Sequence, residues 1–249
     1  MILRVVTLNL EQNHKCWGAR RELIAAELPS LNPDVWALNE IHLPSQSGRW
    51  LKQAVEKAVG TKYMLVQQSK TGEESRTRGE GLLTRYPMIE TANLDYQSHD
   101  CVALAARFEF AGKFLDVYVT NLIAARVDDA ARQYQAARLL EWVHSRGDAD
   151  HSVICGDFNA APDQPSIGLM TAAYRATQTQ ATAFTPLREP GGSPTHPEWQ
   201  RFDRCIDYIW VSELIKIQAS GLCFNRPAED NPDLWPSDHV GVWADLEFD

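Results

Sequence analysis

The sequence predicts an α/β protein made of two packed mixed β-sheets flanked by helices. Three observations predict this class. Short apolar runs rich in β-branched residues alternate with segments of helical periodicity. Some of these runs are separated by a helix, which favours parallel pairing, and others by a tight turn, which favours a hairpin. At 249 residues and 44% apolar composition, the chain can bury a large core without a disulfide or structural metal.

The elements follow in order. Residues 2–9 read as a buried strand. Residues 17–28 read as an amphipathic helix ended by Pro29, which lacks the N–H a further turn would use. A second strand spans 34–41 and a second helix 49–59, closed by Gly60. Shorter strands come at 62–67, 81–84, 101–110 and 114–121, the last two joined as a hairpin by Ala111-Gly112-Lys113. Residues 126–146 carry the clearest helical repeat, with Val127, Ala130, Tyr134, Ala137, Leu140 and Val143 at three-to-four spacing. A strand at 152–155, a short helix after Pro165 and strands at 205–212, 215–224 and 240–248 complete the chain. Two segments lack periodicity. The charged stretch 70–80 reads as a solvated loop. Residues 178–203, with four prolines and two glycines, form a loop long enough to be either functional or disordered. No repeat, low-complexity tract or linker divides the sequence, so 1–249 reads as one domain.

Composition excludes several classes. No run reaches the roughly 18–20 apolar residues of a membrane span, and the N-terminal strand lacks the basic flank and cleavage site of a signal peptide. Cys16, Cys101, Cys155, Cys205 and Cys223 are odd in number and scattered. They read as reduced thiols of a cytoplasmic protein, not as a disulfide framework or zinc site. The net charge of −9 argues against tight, sequence-independent binding to a nucleic-acid backbone. A cationic groove or bound metal can still reverse the sign locally. No obligate protein partner is evident.

Five fragments carry chemistry. Gly156-Asp157-Phe158-Asn159 ends a short apolar strand, where Asp157 and Asn159, two residues apart, project to one side. The same residue types also favour a plain turn. Ser237-Asp238-His239 precedes the last strand and can present a metal-side carboxylate beside a phosphate-side imidazole. Asp207 lies inside the apolar run Cys205-Ile206-Asp207-Tyr208-Ile209, where a lone carboxylate is costly. The natural partner is a histidine, whose tautomer and cationic form such a carboxylate fixes. Asn39-Glu40 and Asn9-Leu10-Glu11 end two further strands. Hard oxygen and amide groups on five strand ends are what Mg²⁺-assisted phosphate chemistry needs.

In order and wording these fragments resemble the endonuclease/exonuclease/phosphatase family, the DNase I-like and exonuclease III-like hydrolases. The likeness runs from Thr7-Leu8-Asn9 through Leu38-Asn39-Glu40, Gly81-Leu82-Leu83-Thr84-Arg85-Tyr86-Pro87, Val119-Thr120-Asn121-Leu122 and Gly156-Asp157-Phe158-Asn159 to Arg204-Cys205-Ile206-Asp207-Tyr208 and Ser237-Asp238-His239. The resemblance implies a four-layer α/β/β/α sandwich with the site at one edge of the paired sheets. It implies Mg²⁺ or Mn²⁺ on Glu40, with Glu11 and Asp238 as further ligands. Asn9 and Asn159 would hold phosphate and nucleophile, Asp157 would direct the attacking water, and His239, oriented by Asp207, would stabilise charge on the phosphoryl oxygens. The implied substrate is phosphorylated: nucleic acid, nucleotide or phospholipid head group.

The pattern breaks at Asn121, where the family usually has a histidine. A carboxamide can donate to a phosphoryl oxygen but supplies no proton. This leaves two alternatives to a phosphodiesterase or nuclease-like enzyme: a phosphomonoesterase on a small or lipid-linked phosphate, or a catalytically weakened protein that binds a phosphorylated ligand. Asn39 also stands where glutamine is common. His42, two residues after Glu40, is a candidate substitute proton donor, with a surface position as its simpler reading. His14, His99, His144, His151 and His196 lack metal-like spacing and read as exposed. Trp199, Phe202 and Trp235 could stack on a base or serve as packing anchors, and Arg78 or Arg85 could reach phosphate or lie at the surface. If a proton donor is missing, Asn121→His raises hydrolysis of a poor-leaving-group diester by up to about 10²–10⁴. Steady-state rates showing no rise would remove that idea.

Overall fold

The computed structural model describes residues 1–11, 16–124, 127–147, 149–184 and 202–248. One sheet contains β1 (Ile2–Asn9), β2 (Val35–His42), β3 (Met64–Ser69), β4 (Arg78–Thr84), β13 (Lys216–Cys223) and β14 (Gly241–Glu247), in the order β13-β14-β1-β2-β4-β3. The other contains β5 (Glu90–Asp95), β6 (Val102–Phe110), β7 (Lys113–Asn121), β8 (His151–Asp157), β9 (Arg175–Ala176) and β12 (Asp207–Val211), in the order β5-β6-β7-β8-β12-β9. A two-stranded ribbon pairs β10 (Ala183–Phe184) with β11 (Phe202–Arg204). Helices α1 (Trp17–Leu31) and α2 (Ser47–Val59) cover the first sheet, and α3 (Asp129–Ser145) and α4 (Pro165–Thr171) cover the second.

Three apolar layers hold this four-layer sandwich together. Alternation along each strand sends one set of side chains between the sheets and the other toward the helices. Val5, Ala37, Val117, Val153 and Val242 meet in the central layer. Val6, Leu8, Trp36 and Leu38 pack under Ile24, Leu28, Leu51 and Val55 of α1 and α2. Tyr118, Ile154 and Trp210 pack under Ala136, Leu139, Ile167 and Met170 of α3 and α4.

Parallel pairing occurs at β1–β2 and β7–β8, each joined through a helix. Both pairs therefore send their C-terminal ends to one edge of the sandwich. Their antiparallel neighbours β14 and β12 begin at that same edge. The topology alone thus gathers Asn9, Glu40, Asn121, Asp157, Asp207 and His239 from across the chain.

Several elements differ from expectation. Helix α1 continues through Pro29 to Leu31, because proline forfeits only one backbone bond there, Leu31 is buried, and Asn32 closes the turn in the left-handed conformation. The fully buried residues of α3 are Arg132, Gln135, Ala136 and Leu139; of the helical repeat, Leu140 and Val143 pack partly buried against the same core, while Tyr134 is exposed. Arg132 and Gln135 are polar yet buried because they hydrogen-bond the preceding loop, at Val127 O (3.0 Å) and Ile123 N (2.9 Å). Residues 70–80 are not a solvated loop: Lys70 and Glu80 are buried, a 3₁₀ turn spans Gly72–Arg76, and β4 begins at Arg78. Strand β5 was not expected. His151 is buried, with its ring edge-on to Phe248.

Gly156, whose φ is +132°, is hemmed in by the neighbouring strand β7 of its own sheet and by Asn39 of the other. A Cβ there would lie 2.0 Å from Thr120 O and 3.1 Å from Asn39 Oδ1. Only glycine fits this backbone and this spacing. Gly156→Ala is expected to cost at least about 2–3 kcal/mol. Urea denaturation reads this as a lower midpoint at unchanged slope, and an unchanged midpoint would contradict the close packing.

Candidate active site

Asp157 sits at the C-terminal end of β8, almost fully buried. Its Oδ1 accepts the Asn159 N–H at 2.8 Å and its Oδ2 accepts Asn9 Nδ2 at 3.2 Å. The Nε2 of His239 lies 3.8 Å from Oδ2, beyond hydrogen-bond reach. Burial, and then the charge of Asp207, push the Asp157 carboxyl up to about 7. The His239 Nδ1 is 2.8 Å from Asp207 Oδ2. A carboxylate only accepts, so Nδ1 carries the proton and Nε2 faces Asp157. Burial works against the imidazolium, but Asp207, Asp157 and Asp238 outweigh it and raise His239 well above its ordinary value.

Two hydroxyls that sequence reasoning did not single out hold this triad. Thr182 Oγ1 accepts the N–H groups of Ile206 and Asp207, each at 3.1 Å, and Thr182 O accepts Val240 N at 2.8 Å. Ser237 Oγ donates to Asn9 O at 2.6 Å and accepts His239 N at 3.2 Å. Ser237 was visible in its motif. Thr182 lies in an aperiodic segment that gave no signal.

Glu40 reaches the same edge through a β-bulge. Leu38 faces Gly81 but Ile41 faces Gly79, so β2 carries one extra residue there, and Glu40 adopts φ 53°. Alternation breaks in consequence: Leu38 and Ile41 both pack toward α1 and α2, and Glu40 is freed from the helical layer. The Glu40 charge adds to the repulsion felt by both Asp157 and Asp238, and burial followed by that repulsion raises Asp238. Arg78, beside Glu40 at 3.7 Å, is anchored by Glu74. Glu11, with φ 56°, pairs with Arg20 at 3.1 Å, and Arg20 also donates to Leu10 O and Pro236 O. Asn159 Nδ2 donates to Leu122 O at 2.9 Å and to Asn121 Oδ1 at 3.3 Å. Asn39 faces inward and bridges the two sheets.

Asp157, Asp207 and His239 are the group whose ligand atoms all lie within 4.8 Å among the described residues. The protonated Nδ1 on Asp207 makes it a polarised imidazole, not a cation cage. Glu40 and Asp238 repel one another, and hard carboxylate oxygens such as theirs would suit Mg²⁺ or Mn²⁺ better. Glu11 points to Arg20. The His42 Nδ1 meets Ser45 Oγ at 2.9 Å. Arg85 binds Asn32 and Pro33 near the opposite edge. Trp235 is half-buried, with its indole N–H on Pro232 O at 3.1 Å. His14, His196, Trp199 and the Phe202 side chain lie outside the described residues.

The chain belongs to the Endonuclease/Exonuclease/phosphatase family, whose sequence profile matches residues 6–239. Members of that family are phosphoester hydrolases. Protein angel of Drosophila melanogaster is 30% identical over 171 residues, 61% of this chain and 46% of that protein. The catalytic domain of human Nocturnin, solved with a bound sulfate anion, superposes with a TM-score of 0.74 at 22% identity, covering 100% of this chain and 95% of that one. An endonuclease/exonuclease/phosphatase from Bacteroides vulgatus does so at 0.77 and 17% identity, covering 100% of both. These structural likenesses show a shared fold. The chain spans about half the length of the curated relatives it matches (46% and 59%).

Asp207→Asn removes the ionic partner of His239. A charge-assisted hydrogen bond of this kind contributes about 1.5–3 kcal/mol. Because His239 is raised in the folded state, that contribution is complete below the unfolded value of about 6.5 and fades as pH rises through the folded value. Thermal unfolding should therefore separate variant from wild type most at pH 5–6 and least in alkali, and a constant gap would contradict the pairing.

Proposed function

We propose that this chain is a Mg²⁺- or Mn²⁺-dependent phosphoester hydrolase that prefers phosphodiesters, with water attacking phosphorus in line with the leaving group. The observation that carries the reading is the single sandwich edge shared by Asp157, the Asp207-oriented His239, and Glu40 with Asp238. In the ionised form Asp157 accepts a proton from the attacking water, held in place by Asn9 and the Asn159 N–H. A carboxyl poised near neutrality is well matched to that task. His239 offers an Nε2 proton to the phosphoryl oxygens, and Asp207 stabilises the resulting distribution of charge. Asn9 and Asn121 supply amide donors around phosphate, and Asn159, whose side-chain N–H groups go to Leu122 O and Asn121 Oδ1, orients Asn121 for this instead of donating to phosphate itself. Glu40 and Asp238, with Glu11 as a further candidate, would hold the divalent ion, which supplies charge neutralisation and Lewis acidity when bound.

The substrate class is nucleic acid, nucleotide or phospholipid head group, and the −9 net charge tilts away from long duplex DNA. Five unpaired thiols favour a reducing compartment such as the cytoplasm. Among the described residues no helix is long and apolar enough to cross a membrane. Asn121 favours a second reading, a phosphorylated-ligand binder with little turnover. The intact Asp207–His239–Asp157 arrangement opposes it.

Bis-nitrophenyl phosphate and mono-nitrophenyl phosphate, each with Mg²⁺, Mn²⁺ or EDTA, test the proposal. Diester cleavage should dominate and disappear in EDTA, whereas EDTA-insensitive turnover would contradict metal dependence. Asp157→Asn should lower kcat by about 10²–10⁴. Mg²⁺-dependent binding of a nucleotide by calorimetry without any turnover would favour the binding reading.

A further inference from the structure

Behind the cleft lies a buried charge that the chemistry above does not use. Glu80 on β4 is fully buried. Its Oε2 accepts Asn39 Nδ2 at 2.6 Å, while its Oε1 accepts no hydrogen bond and faces Lys70 Nζ, also buried, 3.8 Å away. Desolvating such a pair is expensive, and an apolar pair of equal volume often stabilises a protein as well or better. Stability alone therefore gives little reason for Glu80.

Its partner supplies one. The Asn39 carboxamide has two N–H groups and one oxygen. One N–H goes to Glu80, in its own sheet. The other goes to Thr120 O in the opposite sheet, at 2.9 Å. The oxygen accepts the Asp157 N–H at 3.0 Å. The two ends of an amide are nearly the same shape, so sterics do not choose between this orientation and its flip. The polar partners do choose: a flip would set Asn39 Oδ1 against the acceptors Glu80 and Thr120 O and the Asn39 amino group against the Asp157 N–H, and Glu80 is the one side chain among the three. Asn39 also precedes the bulged Glu40 and, through its own carbonyl, accepts Leu10 N at 2.9 Å.

We propose that Glu80, backed by Lys70, is a positioning residue that fixes the Asn39 amide and thereby sets the backbone carrying Asp157 and Glu40 across the two sheets. This rests on the reading of Asp157 and Glu40 as reacting groups. Glu80 touches no substrate. It acts through one side chain, and its loss leaves every proposed reacting group in the sequence.

Three variants test this: Glu80→Leu, Glu80→Gln, and Glu80→Gln combined with Lys70→Met. Two readouts apply, amide hydrogen exchange in the metal-free protein and steady-state cleavage of bis-nitrophenyl phosphate. In Glu80→Leu the Asp157 amide should exchange at least about tenfold faster relative to Val153 and Cys155 on the same strand. In parallel kcat should fall about 10–100-fold at nearly constant KM. Glu80→Gln keeps an acceptor for Asn39 but turns an amino group toward Lys70, so it should be impaired. The double variant removes that conflict and should recover both readouts. A uniform loss of protection along β8, with wild-type kcat per folded molecule, would assign Glu80 a merely structural role and overturn the proposal. Should Glu80→Leu not fold, the single and double glutamine variants decide alone: impairment with recovery supports the proposal, and wild-type behaviour in both overturns it. A wild-type protein without turnover would overturn the hydrolase reading, while exchange at Asp157 would still decide the Glu80–Asn39 link.

Discussion

The Asn39 carboxamide is the interaction on which this architecture depends. Two apolar sheets pack readily through their middles, but at the site edge they must bring polar groups together out of water. Buried polar groups are tolerated only when satisfied. Asn39 satisfies a carboxylate from its own sheet, a carbonyl and an amide from the other, and does so where Gly156 permits close contact. The shorter side chain in place of the more common glutamine fits this role. It reaches inward across the sheet interface and leaves the cleft to its neighbour Glu40.

Electrostatically the edge is a concentration of negative charge around one imidazole. Burial, with the charges of Asp207 and Glu40, raises Asp157; burial and the charge of Glu40 raise Asp238; and Asp207, Asp157 and Asp238 together raise His239. Such an edge is unfavourable by itself, and a divalent cation or a protonated histidine relieves it. This is the physical tie between the acidic composition and the proposed chemistry. Part of the net charge is concentrated at the proposed site, where Arg20 pairs with Glu11 and Arg78 lies beside Glu40.

Most of the fold was legible because its signals are local. Strand alternation, the Ala111-Gly112 turn and the Gly60 cap all reside within a few residues, and those elements formed where expected. The failures share another cause. On α3 the repeat shows in Leu140 and Val143, but the burial of Arg132 and Gln135 does not, because it depends on bonds to a loop that composition cannot anticipate. Lys70 and Glu80 read as solvated because their pairing and the partnership with Asn39 join separate strands. His151 was read as exposed, although Phe248, nearly a hundred residues away, covers it. At the site, Asp207 and His239 were legible as a pair because a lone carboxylate in an apolar run calls for a partner. The supporting hydroxyl of Thr182 was not, since a threonine in an aperiodic stretch looks like any other.

The bulge in β2 has a consequence for which sequences can encode this protein. Since Glu40 owes its direction to an unpaired extra residue, the information lies in strand length as well as in side-chain identity. Deleting one residue of this bulge other than Glu40 would keep the glutamate in an alignment and yet turn it beneath the helices, sending an apolar neighbour to the site edge instead. In searches for functional relatives, matching letters at this place is a weaker criterion than matching their count.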